Sequence, residues 1–301
     1  MGWISIALLS TSIFGIVSII DSHLLTRRLP GLRAFLLPVG IIHLIYGCVF
    51  FFLFPLPDNI SVWQILVAVT SSLLRTVAII IMLYTLTKEE VSQVIPLVYT
   101  YPIFVVIMAV PLLGETLHYL ECLAIIMVVA GAVLVSFRRS SYGSIIWRGK
   151  PLLLLFGSSL LLAMADITGK YALGYISPWN MFWLSAFCMS GIFVLLSMRS
   201  YIIRQLGDMT RKSSTIALLL FNEILAPIAI LLMFLALERG LVSLVSTIVG
   251  SSRPVFVFAF AFLLSRILPG FIEWHAEKGM LAFRFIAIAM IVGGVIIIQI
   301  I

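Results

Sequence analysis

The chain has 301 residues, of which 62% are hydrophobic and only 10% charged. A water-soluble protein of this size needs far more charge to cover its surface, so a soluble globular fold is excluded and lipid is the solvent for most of the exterior. The formal net charge is +7, but the basic residues cluster between apolar stretches, as membrane topology requires, and nucleic acid is excluded as a partner.

A spanning helix needs about 20 apolar residues. Taken in chain order, ten segments meet that demand: 3–22, 34–54, 62–83, 91–110, 118–137, 151–173, 178–198, 215–237, 241–265 and 281–301. The first begins without a basic leader or a small-residue cleavage site, so no cleavable signal peptide is expected. The fourth is interrupted by Pro96 and Pro102, which a membrane helix tolerates where neighbours or water satisfy the freed carbonyls. Cys48, Cys122 and Cys188 all fall inside apolar stretches and read as packing residues, with neither disulfide nor metal spacing. Only the connections 137–150, 199–214 and 266–280 have much length, so no extramembrane domain fits. Arg199 to Ser214 reads either as a short amphipathic segment on the inner membrane surface or as an ordinary cytoplasmic loop.

The two halves resemble each other. Ala124 to Gly131 (AIIMVVAG) aligns with Ala287 to Gly294 (AIAMIVGG), and Tyr101 to Val105 (YPIFV) aligns with Arg253 to Val257 (RPVFV). Pro30 falls opposite Pro178, and Gly15 opposite Ala163. The offset grows along the chain from 148 to 152 to 163, the last jump marking an insertion around Pro269 to His275. Three matches in the same order predict an internal duplication. Each half holds five segments, an odd number, so two copies in series must lie in opposite orientations. The charges agree. Fourteen of the nineteen Lys and Arg residues stand in odd-numbered connections and only Arg239 in an even one. Positive charge stays cytoplasmic, which predicts cytoplasmic odd connections and both termini outside. The predicted fold is therefore an all-α integral membrane protein. Ten transmembrane helices form two inverted five-helix repeats, 1–137 and 151–301, joined by a cytoplasmic linker at 138–150. Inverted repeats around a midplane site are a recurrent transporter architecture.

The stretch from Ser92 to Gly131 contains Pro102-Ile103-Phe104, then Leu112-Leu113-Gly114-Glu115, then a helix ending in glycine. This run of a proline-led helix, a Gly-Glu turn and a closing helix resembles the drug/metabolite transporter superfamily, its EamA-like branch in particular. The second half departs from that pattern, with Leu264-Ser265-Arg266 where Leu-Gly-Glu is expected. The resemblance implies transport of amino acids, nucleotide sugars, metabolites or drugs, and leaves the substrate open.

No Ser-His-Asp arrangement, metal-ligand spacing or phosphate-cradling glycine loop stands out, so neither an enzyme nor a cofactor is expected. A charge at mid-depth in a membrane helix costs about 2.5–3.5 kcal/mol and points to function. Asp166 and Lys170 are four apart on one helix face; they either neutralise each other or line a cavity where a charged substrate separates them. Asn222 and Glu223 lie midway in the eighth segment, ahead of Pro227. Glu223 is the candidate for handling a coupling proton or cation, with Arg253 as its partner or as the anchor of an anionic group. Arg75 has no acidic neighbour on its own helix, so its counter-charge must come from elsewhere. Tyr99, Tyr101 and Trp179 are candidate cavity aromatics. Asp21 reads as reaching interfacial water, His43 as a hydrogen-bonded packing histidine, and His118 and His275 as solvated. The expected activity is secondary transport of a small metabolite or drug-like molecule, charged or zwitterionic, in the cell (inner) membrane. The rival is a lipid-handling or assembly component that moves no metabolite.

Overall fold

The computed structural model describes residues 2–87, 98–136, 150–208, 212–267 and 281–301. Its elements are α1 (Trp3–His23), which continues into a π turn (Leu24–Arg28), α2 (Leu32–Leu53), α3 (Val62–Leu86), α4 (Tyr101–Leu113) and α5 (Tyr119–Ser136) in the first half. The second half holds α6 (Lys150–Leu173), α7 (Pro178–Ser197), the short α8 (Ser200–Gly207), α9 (Lys212–Arg239), α10 (Val242–Ser246) with a second π turn (Thr247–Ser251), α11 (Arg253–Ile267) and α12 (Leu281–Ile300). Among the described residues, seven helical stretches are long and apolar enough to cross a membrane, and three shorter apolar helices accompany them. Phe52, Leu153 and Leu195 are more than 70% exposed, as lipid-facing side chains are. The protein is a multi-pass membrane protein.

The helices start and stop where local chemistry dictates. Ser61 accepts from the Gln64 backbone N–H while the Gln64 side chain accepts from the Ser61 N–H, which opens α3; Ser177 and Asn180 do the same for α7. Gly114 ends α4 in the left-handed region at φ 68°, where a Cβ is disfavoured. The ninth predicted segment is not one regular helix. The π turn at Thr247–Ser251 divides it, because Pro254 cannot donate to the preceding turn. The stretch left open as loop or amphipathic segment contains α8, whose Ile202 is buried beside Ala34 and Leu37 while Arg204 is exposed. Residues 91–97 of the fourth segment, Pro96 among them, lie outside the described residues, as do the insertion around His275 and most of the 137–150 connection.

The closest packing runs between the halves. α1 lies on α9, α2 on α7, α3 on α6 and α5 on α12; α4 also meets α6, and α11 meets α1. Small residues permit these approaches, as expected where lipid removes the hydrophobic drive between helices. A Cβ added to Gly131 would lie 2.7 Å from the Ala287 carbonyl and from Ile291, and one added to Gly294 would lie 2.5 Å from Val128 and 2.9 Å from the Ala124 carbonyl. Ala124, Val128 and Gly131 are the residues aligned with Ala287, Ile291 and Gly294, so each meets the other's counterpart. The hydroxyls behave likewise. Ser10 donates to the Ala229 carbonyl at 2.8 Å and Ser158 to the Ala78 carbonyl at 2.9 Å. Ser158 follows Ser10 by 148 residues and Ala229 follows Ala78 by 151. The reading of all three cysteines as packing residues needs one correction. All three are free, but Cys48 is exposed, because its position on α2 faces away from the neighbouring helices.

Candidate functional site

Two polar clusters lie between the helices. In the first, Arg75 of α3 donates to Asp166 Oδ1 of α6 at 2.6 Å, with side-chain exposures of 13% and 3%. The other carboxylate oxygen of Asp166 accepts from the Ser246 hydroxyl of α10. Tyr101 donates to the Ser246 carbonyl at 3.3 Å, and the Arg75 guanidinium lies 5.8 Å from the Phe234 ring centroid on α9. The counter-charge that Arg75 required is therefore Asp166, and it comes from the other half of the chain.

The second cluster joins α1, α2 and α9. Asn222 donates to Asp21 Oδ1 at 2.8 Å. Glu223 Oε2 lies 3.4 Å from His43 Nδ1, which is also 2.9 Å from the Val39 carbonyl. The ring proton is better directed at the carbonyl, so Glu223 is an ionic neighbour of His43 and not its acceptor. Pro227 stands four residues after Glu223 and cannot donate to its carbonyl. Tyr46 supplies that missing hydrogen bond at 2.8 Å, so the same residue offers a carboxylate and a rerouted backbone. Arg253, at the start of α11, holds its guanidinium 4.4 Å over the Phe14 ring and within electrostatic reach of Asp21, Tyr99 and Tyr101. It thus lies between the two clusters. His43 Nε2, Asn222 Oδ1, Glu223 Oε2 and the Nε atoms of Arg75 and Arg253 are buried and meet no hydrogen-bond partner among the described residues.

The structure thus brings together Arg75 with Asp166 and Asn222 with Glu223, and sets Arg253 and Tyr99 beside them. Several sequence expectations change. Glu223 meets His43 instead of Arg253. Asp166 and Lys170 do not pair with each other, because Asp166 turns to Arg75 while Lys170 donates to the carbonyls of Leu237, Glu238 and Gly240 at 2.7, 3.1 and 2.8 Å. Asp21 is half-buried and accepts from Asn222 through Oδ1. Trp179 stacks on Phe54 and Phe50 near the start of α7, at 4.7 and 5.9 Å, away from both clusters. Tyr99 is buried, and its carbonyl accepts from Ser251 at 2.8 Å. Ser246 and Tyr46 carried no signal in the sequence, since a lone serine or tyrosine in an apolar run is common. The place of Tyr46 follows only from which helix faces Pro227. An open apolar groove of about 230 Å³, lined by Leu36, Ile80 and Leu196 among others, contains none of these polar residues.

Comparison with known proteins bears on this arrangement. No curated protein matches the chain. Among solved structures, one described only as a crystal structure of a protein superposes with a TM-score of 0.70 and 18% identity, covering 99% of this chain and 95% of its own. At that identity the likeness speaks for the fold alone. Residues 1–137 match the model of the EamA-like transporter family, described as such. That span contains the proline-led helix, the Gly114-Glu115 turn and the helix closed at Gly131. Over residues 1–137 the chain is thus similar to the EamA-like transporter family.

Proposed function

We propose that the protein is a secondary transporter that moves a small charged or zwitterionic metabolite across the cell (inner) membrane by alternating access. The single observation behind this reading is the pair of polar clusters. Arg75, Asp166, Asp21, Glu223 and Arg253 come from five helices of both halves and converge where unpaired charge is expensive. Groups that served only insertion would close into complete pairs. Here five buried polar atoms keep unused hydrogen-bonding capacity. A carboxylate of the substrate would meet Arg253 and Arg75, and an amine would meet Glu223, Asn222 and Asp21. Lys170 takes no direct part, its three donors being spent on backbone carbonyls.

Our reading of the architecture is ten spans in two inverted repeats, 1–137 and 151–301. The exchange of partners favours it. Gly131 and Gly294 meet each other's aligned neighbours, and Ser10 and Ser158 make matched bonds, as a pseudo-two-fold axis requires. Two halves that touch mainly across their mutual interface can rock about it, which is how inverted-repeat carriers alternate. A coupling proton or cation would act at Glu223.

The test is thermal stabilisation of purified protein by a panel of amino acids, amines and organic anions, followed by flux measurement in proteoliposomes for each hit. Glu223→Gln and Arg253→Ala should abolish flux while leaving the unfolding midpoint within a few degrees of the parent. Normal flux in either variant removes that residue from the site. A panel without a single stabilising compound would favour the assembly or lipid-handling rival.

A further inference from the structure

The short break between α9 and α10, Arg239 to Leu241, is held from three sides. Lys170, near the C-terminus of α6, gives all three ammonium donors to the carbonyls of Leu237, Glu238 and Gly240. The first two belong to the last turn of α9, where intrahelical donors run out, and the third to Gly240 just past it. Glu115, just past the C-terminus of α4, accepts from the backbone N–H groups of Val242 and Ser243 where α10 begins, the latter at 3.2 Å. It is only 8% exposed. Trp3 at the start of α1 covers Gly240 so closely that a Cβ there would lie 2.8 Å from its ring. A cation thus sits on the negative end of one helix and an anion on the positive end of the next, each at the favourable pole.

Among the described residues the two side chains of this clamp are not repeated in kind at the aligned positions. In the repeat register that pairs Pro30 with Pro178, Lys170 falls opposite Ser22; where Leu264-Ser265-Arg266 is set against Leu113-Gly114-Glu115, three residues further on in offset, Glu115 falls opposite Arg266. Serine cannot supply three charged donors, and an arginine cannot accept from a helix N-terminus. Arg266 lies instead over the Phe262 ring at 5.4 Å. The asymmetry matters because α9 and the α10–α11 segment carry Asn222, Glu223, Ser246 and Arg253. Holding their junction shut holds the polar groups in their present arrangement.

We propose that Glu115 and Lys170 are gate residues, a latch that keeps the face opposite the basic connections closed, and that opening toward that face requires their release from the α9–α10 junction. The proposal deepens the transporter reading and rests on it for its purpose, but the latch itself can be measured without any substrate. Gly114-Glu115, the turn that resembles the family pattern, gains from it a physical role in this chain. The glycine ends α4 and the glutamate crosses to the other half.

The experiment uses full-length protein in lipid nanodiscs, with Cys48, Cys122 and Cys188 replaced by alanine and a single reporter cysteine at Val249. That residue is 2% exposed and lies about 10 Å along the helix from Val242 at ~1.5 Å per residue. A water-soluble maleimide should react with it slowly in the latched protein. Glu115→Gln and Lys170→Met should each raise the rate about tenfold or more, the scale of a lost charge-assisted hydrogen bond, and Lys170→Arg should restore protection. Faster labelling of a cysteine at Ser243 without any change at Val249 would mean a local cap only and would overturn the proposal. Equal gains at Val249 and at a cysteine replacing the fully buried Leu24 would mean general loosening and would overturn it as well. Hydrogen exchange of the Val242–Ser251 amides in the otherwise native chain gives a second readout: faster exchange there, but not in α2, is expected for Glu115→Gln, and unchanged exchange overturns the latch. If the latch behaves as stated and no compound is transported, the latch stands and the transporter reading falls. If transport is found and labelling is unchanged, the reverse holds.

Discussion

At the scale of single residues, the Arg75–Asp166 pair dominates. Both groups are shielded from water, and the carboxylate also accepts from Ser246. Removing one partner leaves an uncompensated buried charge, which costs about 3–5 kcal/mol, whereas removing both leaves none. Arg75→Met and Asp166→Leu should each lower the unfolding midpoint of the detergent-solubilised protein sharply, and the double variant should be more stable than either single one. Additive losses across that cycle would mean the two groups do not depend on each other. That Arg75 needed an acidic partner was legible in the sequence, since no acid lies within a turn of it on its own helix. The identity of the partner was not. Asp166 had a nearer basic neighbour in Lys170, and only the packing of α3 against α6 decided between them.

At the scale of elements, α5 and α12 pack through residues that the proposed duplication aligns. Gly131 and Gly294 each admit the opposite backbone, with no room for a Cβ. A side chain at either position forces the helices apart, and overpacking of this kind costs about 1–3 kcal/mol. Gly131→Leu and Gly294→Leu should therefore lower the thermal midpoint by similar amounts, because the two contacts are reciprocal. A loss confined to one of them would break the symmetry argued for this interface. The helices themselves were largely legible from apolar run length, and most observed bounds differ from expectation by a few residues; the fourth segment, expected at 91–110, is described as a helix only over Tyr101–Leu113, after a turn at residues 99 and 100. The π turns were not legible. Pro254 accounts for a break, but the widened turn at Thr247–Ser251 is also met from outside, with Thr11 donating to the Val249 carbonyl at 2.9 Å and Ser251 to the Tyr99 carbonyl at 2.8 Å. Both partners belong to the first half of the chain.

At the scale of the whole molecule, orientation rests on charge. Arg28 donates to Ser214 at 3.1 Å and Arg33 to Tyr201 at 2.7 Å, so two of the basic connections meet on one face. Lys170, Glu115 and Trp3 mark the other. By the positive-inside rule we propose that the 137–150 connection lies in the cytoplasm. A cysteine replacing Tyr142 should be blocked by a membrane-permeant reagent and spared by an impermeant one applied to intact cells. Labelling from outside would invert the topology and, with it, the side on which the proposed latch acts.

The sequence by itself determined that the chain lives in lipid, where most of its helices run and which charged residues fall in apolar segments. Each of these follows from composition or run length, properties carried along one chain. Only the tertiary structure decided how the charges pair: Arg75 with Asp166, Asn222 with Asp21, Glu223 beside His43, and Lys170 with the end of α9. Such pairing depends on distances of a few ångströms between side chains on different helices. Spacing along the chain constrains those distances within a helix and leaves them open between helices.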